Sequence, residues 1–243
     1  MTDKDWCRAT ERELEMILGV LSPRKQRLFA VAVCRELVSR IKVSKLNKAI
    51  EAIESYAETK ISRVALNRKV ASLRASLDDL MQDHNDQQND LESVEFLVMR
   101  TVLAATTENA VRATFRSAER AIDLLPGTPT DEVRRPFLPA IRDFFGFIKE
   151  PFSINSLLNV RRSLDAGKGN PIVQKKLAPG QATTTATAIA QQIYDSRDFS
   201  AMPILADALQ DAGCEDATIL DHCRGPGPHW RGCWAVDLVL GKR

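Results

Sequence analysis

Apolar residues return at intervals of three and four along most of this chain, and that spacing commits it to helices. Leu28, Val31, Cys34, Val38 and Ile41 form one stripe, and Phe29, Val33 and Leu37 widen it, so this helix must be buried on much of its circumference. Ser22-Pro23 opens it. A serine oxygen accepts from the free first-turn amides, and proline lacks only an N–H that the first turn leaves unpaired. Cys34 falls on the apolar face and reads as a small core residue.

The same spacing predicts helices over about 43–57 and 62–81, the latter carrying Val64, Leu66, Val70, Leu73, Leu77 and Leu80 with a basic opposite face. Gln82 to Asp90 lacks apolar anchors and reads as an exposed connection. Leu91 to Leu125 is helical again, with a break expected near Thr106-Thr107, and Pro126-Gly127-Thr128-Pro129 stops it. From Thr130 a further helix carries Val133, Phe137, Ile141, Phe144 and Phe145 despite Pro136 and Pro139; 146–180 is less regular; a threonine-rich start at 183–185 leads into a helix ending near Tyr194.

Beyond that, Ser200 is a candidate cap with Pro203 in the first turn of a helix whose apolar stripe is Ile204, Leu205, Ala208 and Leu209, Gly213 a left-handed stop, and Asp216 a second cap. Gly225-Pro226-Gly227-Pro228 forces a turn. The ending, Trp234, Val236, Leu238, Val239 and Leu240, fits a strand or a helix; helical neighbours favour helix. The expected fold is therefore all-α, a multi-helical bundle. Residues 1–126 would form a helical body, and 127–243 a smaller helical region docked on it.

Composition narrows the function classes. The chain has 243 residues, is 44% hydrophobic and 27% charged, and carries a net charge of +2, so it has material for a core and no strong field. Nucleic acid is not the expected partner. No stretch reaches the ~20 apolar residues of a membrane helix. The polar start, Met1 to Asp5, lacks a signal-peptide core, and the five cysteines are scattered and odd in number, so a reducing cytoplasm is the expectation.

No catalytic signature emerges. Gly167-Lys168-Gly169 lacks the upstream glycine and following Ser or Thr of a phosphate loop. The richest chemistry lies near the C-terminus, where Cys214, His222, Cys223, His229 and Cys233 gather. These are zinc-type donors, but their gaps do not match paired Cys-x-x-Cys spacing, and buried thiols beside loop histidines explain them equally. Asp221, His222, His229 and Cys233 could also be drawn as a cysteine–histidine nucleophile pair, which needs a cleft and a thiol of lowered pKa. A third reading takes Arg224, His229, Trp230 and Arg231 as a recognition surface held by the proline–glycine turn, since Trp and Arg suit binding hot spots. The favoured expectation is a non-catalytic interaction or scaffold protein with a protein partner and no cofactor. The alternative is a zinc-stabilised module or metal-dependent enzyme using the Cys/His cluster. Within 199–243, Trp234 should be buried and Trp230 more exposed.

Those C-terminal residues also carry a resemblance. Met202-Pro203-Ile204-Leu205-Ala206-Asp207-Ala208-Leu209, Ala212-Gly213-Cys214, His222-Cys223-Arg224-Gly225-Pro226-Gly227-Pro228-His229 and Arg231-Gly232-Cys233-Trp234 resemble the C-terminal signature of an uncharacterised paralogous family of Gemmata-type planctomycete bacteria. Trp6-Cys7 and Arg24-Lys25-Gln26-Arg27-Leu28-Phe29-Ala30 resemble that family's opening. The resemblance implies a bacterial, cytoplasmic protein and no particular activity.

Overall fold

The computed structural model describes residues 19, 21–42, 44–87, 94–107, 110–123, 135–145 and 177–242. The turn expected at 126–129 and most of the less regular stretch 146–180 lie outside them. The described residues are all-α, with ten α-helices and no strands among them. None of these helices is long and apolar enough to cross a membrane. They fall in two compact units, Leu21–Phe137 and Leu138–Arg243.

The first unit is built around α1 (Pro23–Ile41). Ser22 caps it, accepting from the Lys25 amide, and Leu28 to Cys34 are buried without interruption. Against it pack α2 (Asn47–Ala57), α4 (Val94–Ala104) and α5 (Ala110–Asp123), while α3 (Arg63–Gln87) packs on α2 and α4. Phe29 stacks on Phe115 at 6.3 Å between ring centroids, and Phe115 meets Phe137 at 5.4 Å, fixing the aromatic centre. The break between α4 and α5 has a local cause: the Thr106 and Thr107 hydroxyls donate to the Leu103 and Ala104 carbonyls, tightening the last turn.

One expectation needs correction. Helix α3 runs through Gln87, so Gln82 to Gln87 continues the helix rather than forming a loop connection. The segment contains neither glycine nor proline. A polar run without a breaker can prolong a helix already nucleated, because each added residue gains a backbone bond.

The second unit holds α6 (Leu138–Phe145), α7 (Thr184–Ser196), α8 (Met202–Asp211), α9 (Ala217–Arg224) and α10 (Trp234–Val239). Thr183 caps α7 and Asp216 caps α9, each side chain accepting a first-turn amide. Pro203 sits in the first turn of α8, but Ser200 does not cap it; Asp198 caps a short 3-10 turn, Phe199–Ala201, that leads in. Gly213 closes α8 at φ +81°, where a side chain would be strained. The apolar ending is helical, and Trp234, Val236 and Val239 join Ala190, Ile193, Leu205, Leu209 and Ile219 in one core.

Candidate metal centre

The site begins with the stripe of α9. Ile219, Leu220, His222 and Cys223 are its buried residues, so the imidazole of His222 is carried inward with the apolar side chains. Gly225 ends that helix where space is short: a Cβ there would stand 3.0 Å from the Asp221 carbonyl oxygen. The proline–glycine turn then reverses the chain and sets the His229 ring 5.0 Å from the His222 ring, edge to face. Gly232, at φ +97°, redirects the backbone so that Cys233 precedes α10 with no exposure. The Trp234 ring lies 5.0 Å from His222 and covers the cluster's apolar side.

The fourth member comes from far away in sequence. Asp143 lies on α6 among the buried residues Ala140 and Phe144, itself 1% exposed. His229 Nδ1 donates to its Oδ1 at 2.6 Å, and the Trp230 backbone N–H donates to its Oδ2 at 2.8 Å. His222 Nε2 stands 3.3 Å from the same Oδ1 and 3.2 Å from Cys233 Sγ. One donor atom from each of Asp143, His222, His229 and Cys233 thus lies within 4.8 Å of every other.

Charge follows from this enclosure. Burial pushes the Asp143 carboxyl up, but hydrogen bonds from His222 and His229 and their charge outweigh it and hold it below the usual carboxylate range. The Cys233 thiol goes the other way: burial first, then the negative charge of Asp143, raise it well above the ordinary thiol value. Burial, with Asp143 and Cys214 adding to it, pushes Cys223 up to about 12. Raised in this way, both thiols hold their protons and are poor nucleophiles. A catalytic cysteine needs a lowered pKa. It also needs a histidine that reaches the thiol with one nitrogen and its orienting acid with the other, whereas here a single nitrogen of His222 faces both Cys233 and Asp143.

The residues singled out from sequence separate into distinct environments. The structure brings His222, His229 and Cys233 together with Asp143, while Cys214 and Cys223 lie buried in the adjoining core outside the four-residue group. Of the recognition candidates, Arg224 is exposed, with its guanidinium on Asp207 and Gln210 at 2.7 and 2.6 Å. Trp230 is half-buried. The His229 side chain is turned onto Asp143 with 7% exposure. Arg231 is also turned inward: it donates to the carbonyls of Tyr194 and Asp195 at 2.7 and 3.0 Å and closes the C-terminal end of α7. Trp234 is buried as expected. Asp143 was missed by sequence reasoning. Its signal was an acid placed three residues after Ala140 and beside Phe144 on an apolar stripe, a position that costs several kcal/mol unless a partner waits there.

No family model matches the chain, and neither a curated protein nor a solved structure matches it.

Proposed function

We propose that the unit Leu138–Arg243 is a zinc-binding module, in which an ion held within the Asp143, His222, His229 and Cys233 group ties α6 to the C-terminal helices. The chain as a whole is then a zinc-stabilised helical protein. The observation that carries this reading is the crowding of donors around His222 Nε2, which faces a thiol and a carboxylate at once. As hydrogen bonding this is poor, because one N–H cannot serve both neighbours well. As coordination it is natural: zinc bonds of about 2.0–2.3 Å place tetrahedral ligands roughly 3.3–3.6 Å apart. The donor set suits the ion's charge. An ionised aspartate and a cysteine thiolate neutralise a dication, and a neutral imidazole adds nitrogen to a mixed N, O, S set of the borderline softness zinc prefers. The ion would also reverse the thiol's protonation, since a coordinating cysteine is deprotonated outright.

The recognition reading of the His229-Trp230-Arg231 corner draws less support, because two of its three side chains are engaged inside the unit. The test is the metal content of protein purified without added zinc, and again after zinc reloading and gel filtration. One equivalent per chain is expected, lost in Asp143→Ala and in Cys233→Ala and kept in Cys34→Ala. Wild-type protein that holds no zinc even after reloading refutes the proposal.

A further inference from the structure

The distances within the cluster sort its members. His222 Nε2 lies 3.2 Å from Cys233 Sγ and 3.3 Å from Asp143 Oδ1, both close to the edge of a zinc tetrahedron. His229 Nδ1 lies 2.6 Å from Asp143 Oδ1, about 0.7 Å too close for two ligands of one tetrahedral ion. It is, however, the length of a strong charge-assisted hydrogen bond to a carboxylate. The Trp230 amide holds the other carboxylate oxygen at 2.8 Å, so Asp143 is clamped from the His229–Trp230 side while it faces His222 and Cys233.

Building on the zinc reading, we infer that Asp143, His222 and Cys233 are the protein ligands, that His229 positions Asp143 from outside, and that the ion keeps a fourth place for a small exchangeable ligand, water or a small anion. Three protein ligands with an open position are what distinguishes an exchangeable zinc site from a closed structural one. A second observation points the same way. The indole N–H of Trp234, a donor only, is buried beside the His222 ring with no hydrogen-bond partner. A lone-pair ligand on the ion would bring an acceptor into this neighbourhood. Burial limits its size, since Asp143 and His222 expose only 2% and 7% of their side chains.

Cobalt substitution of the full-length protein tests this. Co2+ bound to the wild type should show thiolate-to-cobalt charge transfer and four-coordinate visible bands, and azide should shift those bands in a saturable titration. His229→Gln should still bind one Co2+, about 10–100-fold more weakly, as expected for loss of a residue that orients a ligand. His222→Ala and Cys233→Ala should bind none. The azide titration on wild-type protein decides without depending on any variant's folding. Bands indifferent to azide would overturn the inference while leaving zinc binding intact, and loss of cobalt in His229→Gln as well would identify a closed four-ligand site. Absence of any cobalt–thiolate absorption in the wild type would overturn both.

Discussion

Truncation of Trp234 to alanine should be among the most damaging single changes in the C-terminal unit. The indole is 9% exposed, joins the core formed by α7 to α10, and packs on His222. Removing a buried aromatic of this size costs about 3–5 kcal/mol, through lost transfer energy and the cavity left behind. Phenylalanine separates two contributions. It restores most of the volume and removes an indole N–H that is buried without a partner; leaving such a group unsatisfied costs about 1–3 kcal/mol. Trp234→Phe should therefore lose far less than Trp234→Ala, no more than about 1.5 kcal/mol. Trp230→Ala is the control. Its ring is half-buried, and its contribution to the site is a backbone N–H that alanine keeps. Urea denaturation followed by circular dichroism on the three variants measures the order. The reasoning fails if Trp230→Ala proves more destabilising than Trp234→Ala.

Other perturbations reach different parts of the structure. Arg231→Ala should cost about 2–3 kcal/mol by removing charge-assisted bonds to the α7 carbonyls, and Arg231→Lys should recover little of it in the same melts, because an ammonium lacks the guanidinium fork. Gly225→Ala should destabilise by about 1–3 kcal/mol and weaken zinc retention, read by competition with a chelator, because its Cβ meets the Asp221 carbonyl. Cys34 should resist thiol reagents at pH 8 in the folded protein and react once unfolded, since burial pushes it up to about 12 from 9.0. That shift also sets a sign: above pH 9 the unfolded thiol ionises while the folded one keeps its proton, so stability falls as pH rises. The slope is at most about 1.4 kcal/mol per pH unit from this residue, and Cys34→Ala should flatten it.

Features set by local chemistry were legible in the sequence. Ser22-Pro23, Asp216 and Gly213 mark helix ends because the groups that satisfy or strain the backbone there are neighbours in the chain. The stripe from Leu28 to Cys34 announced a buried helix, and the helical ending at Trp234 followed from its surroundings. What escaped was long-range. Donor spacing along the C-terminal stretch fits no zinc motif, because one ligand lies 79 residues before His222 and the turn supplies the rest of the geometry. Asp143 is one acid among many until its place on a buried stripe is noticed. His229 and Arg231 looked like surface in a Pro/Gly-rich corner, yet the carbonyl end of α7 and the carboxylate of α6 draw them inward. The opposite error arose at Gln82 to Gln87, where polarity suggested a connection although nothing there breaks a helix.

X-ray absorption at the zinc edge of the reloaded protein reads the proposed ligand set without altering a residue. Coordination by Cys233, His222 and Asp143 predicts one sulfur at about 2.3 Å, with nitrogen and oxygen neighbours at about 2.0–2.2 Å and imidazole outer-shell scattering. A zinc environment containing only oxygen and nitrogen, with no sulfur, would contradict binding at this cluster.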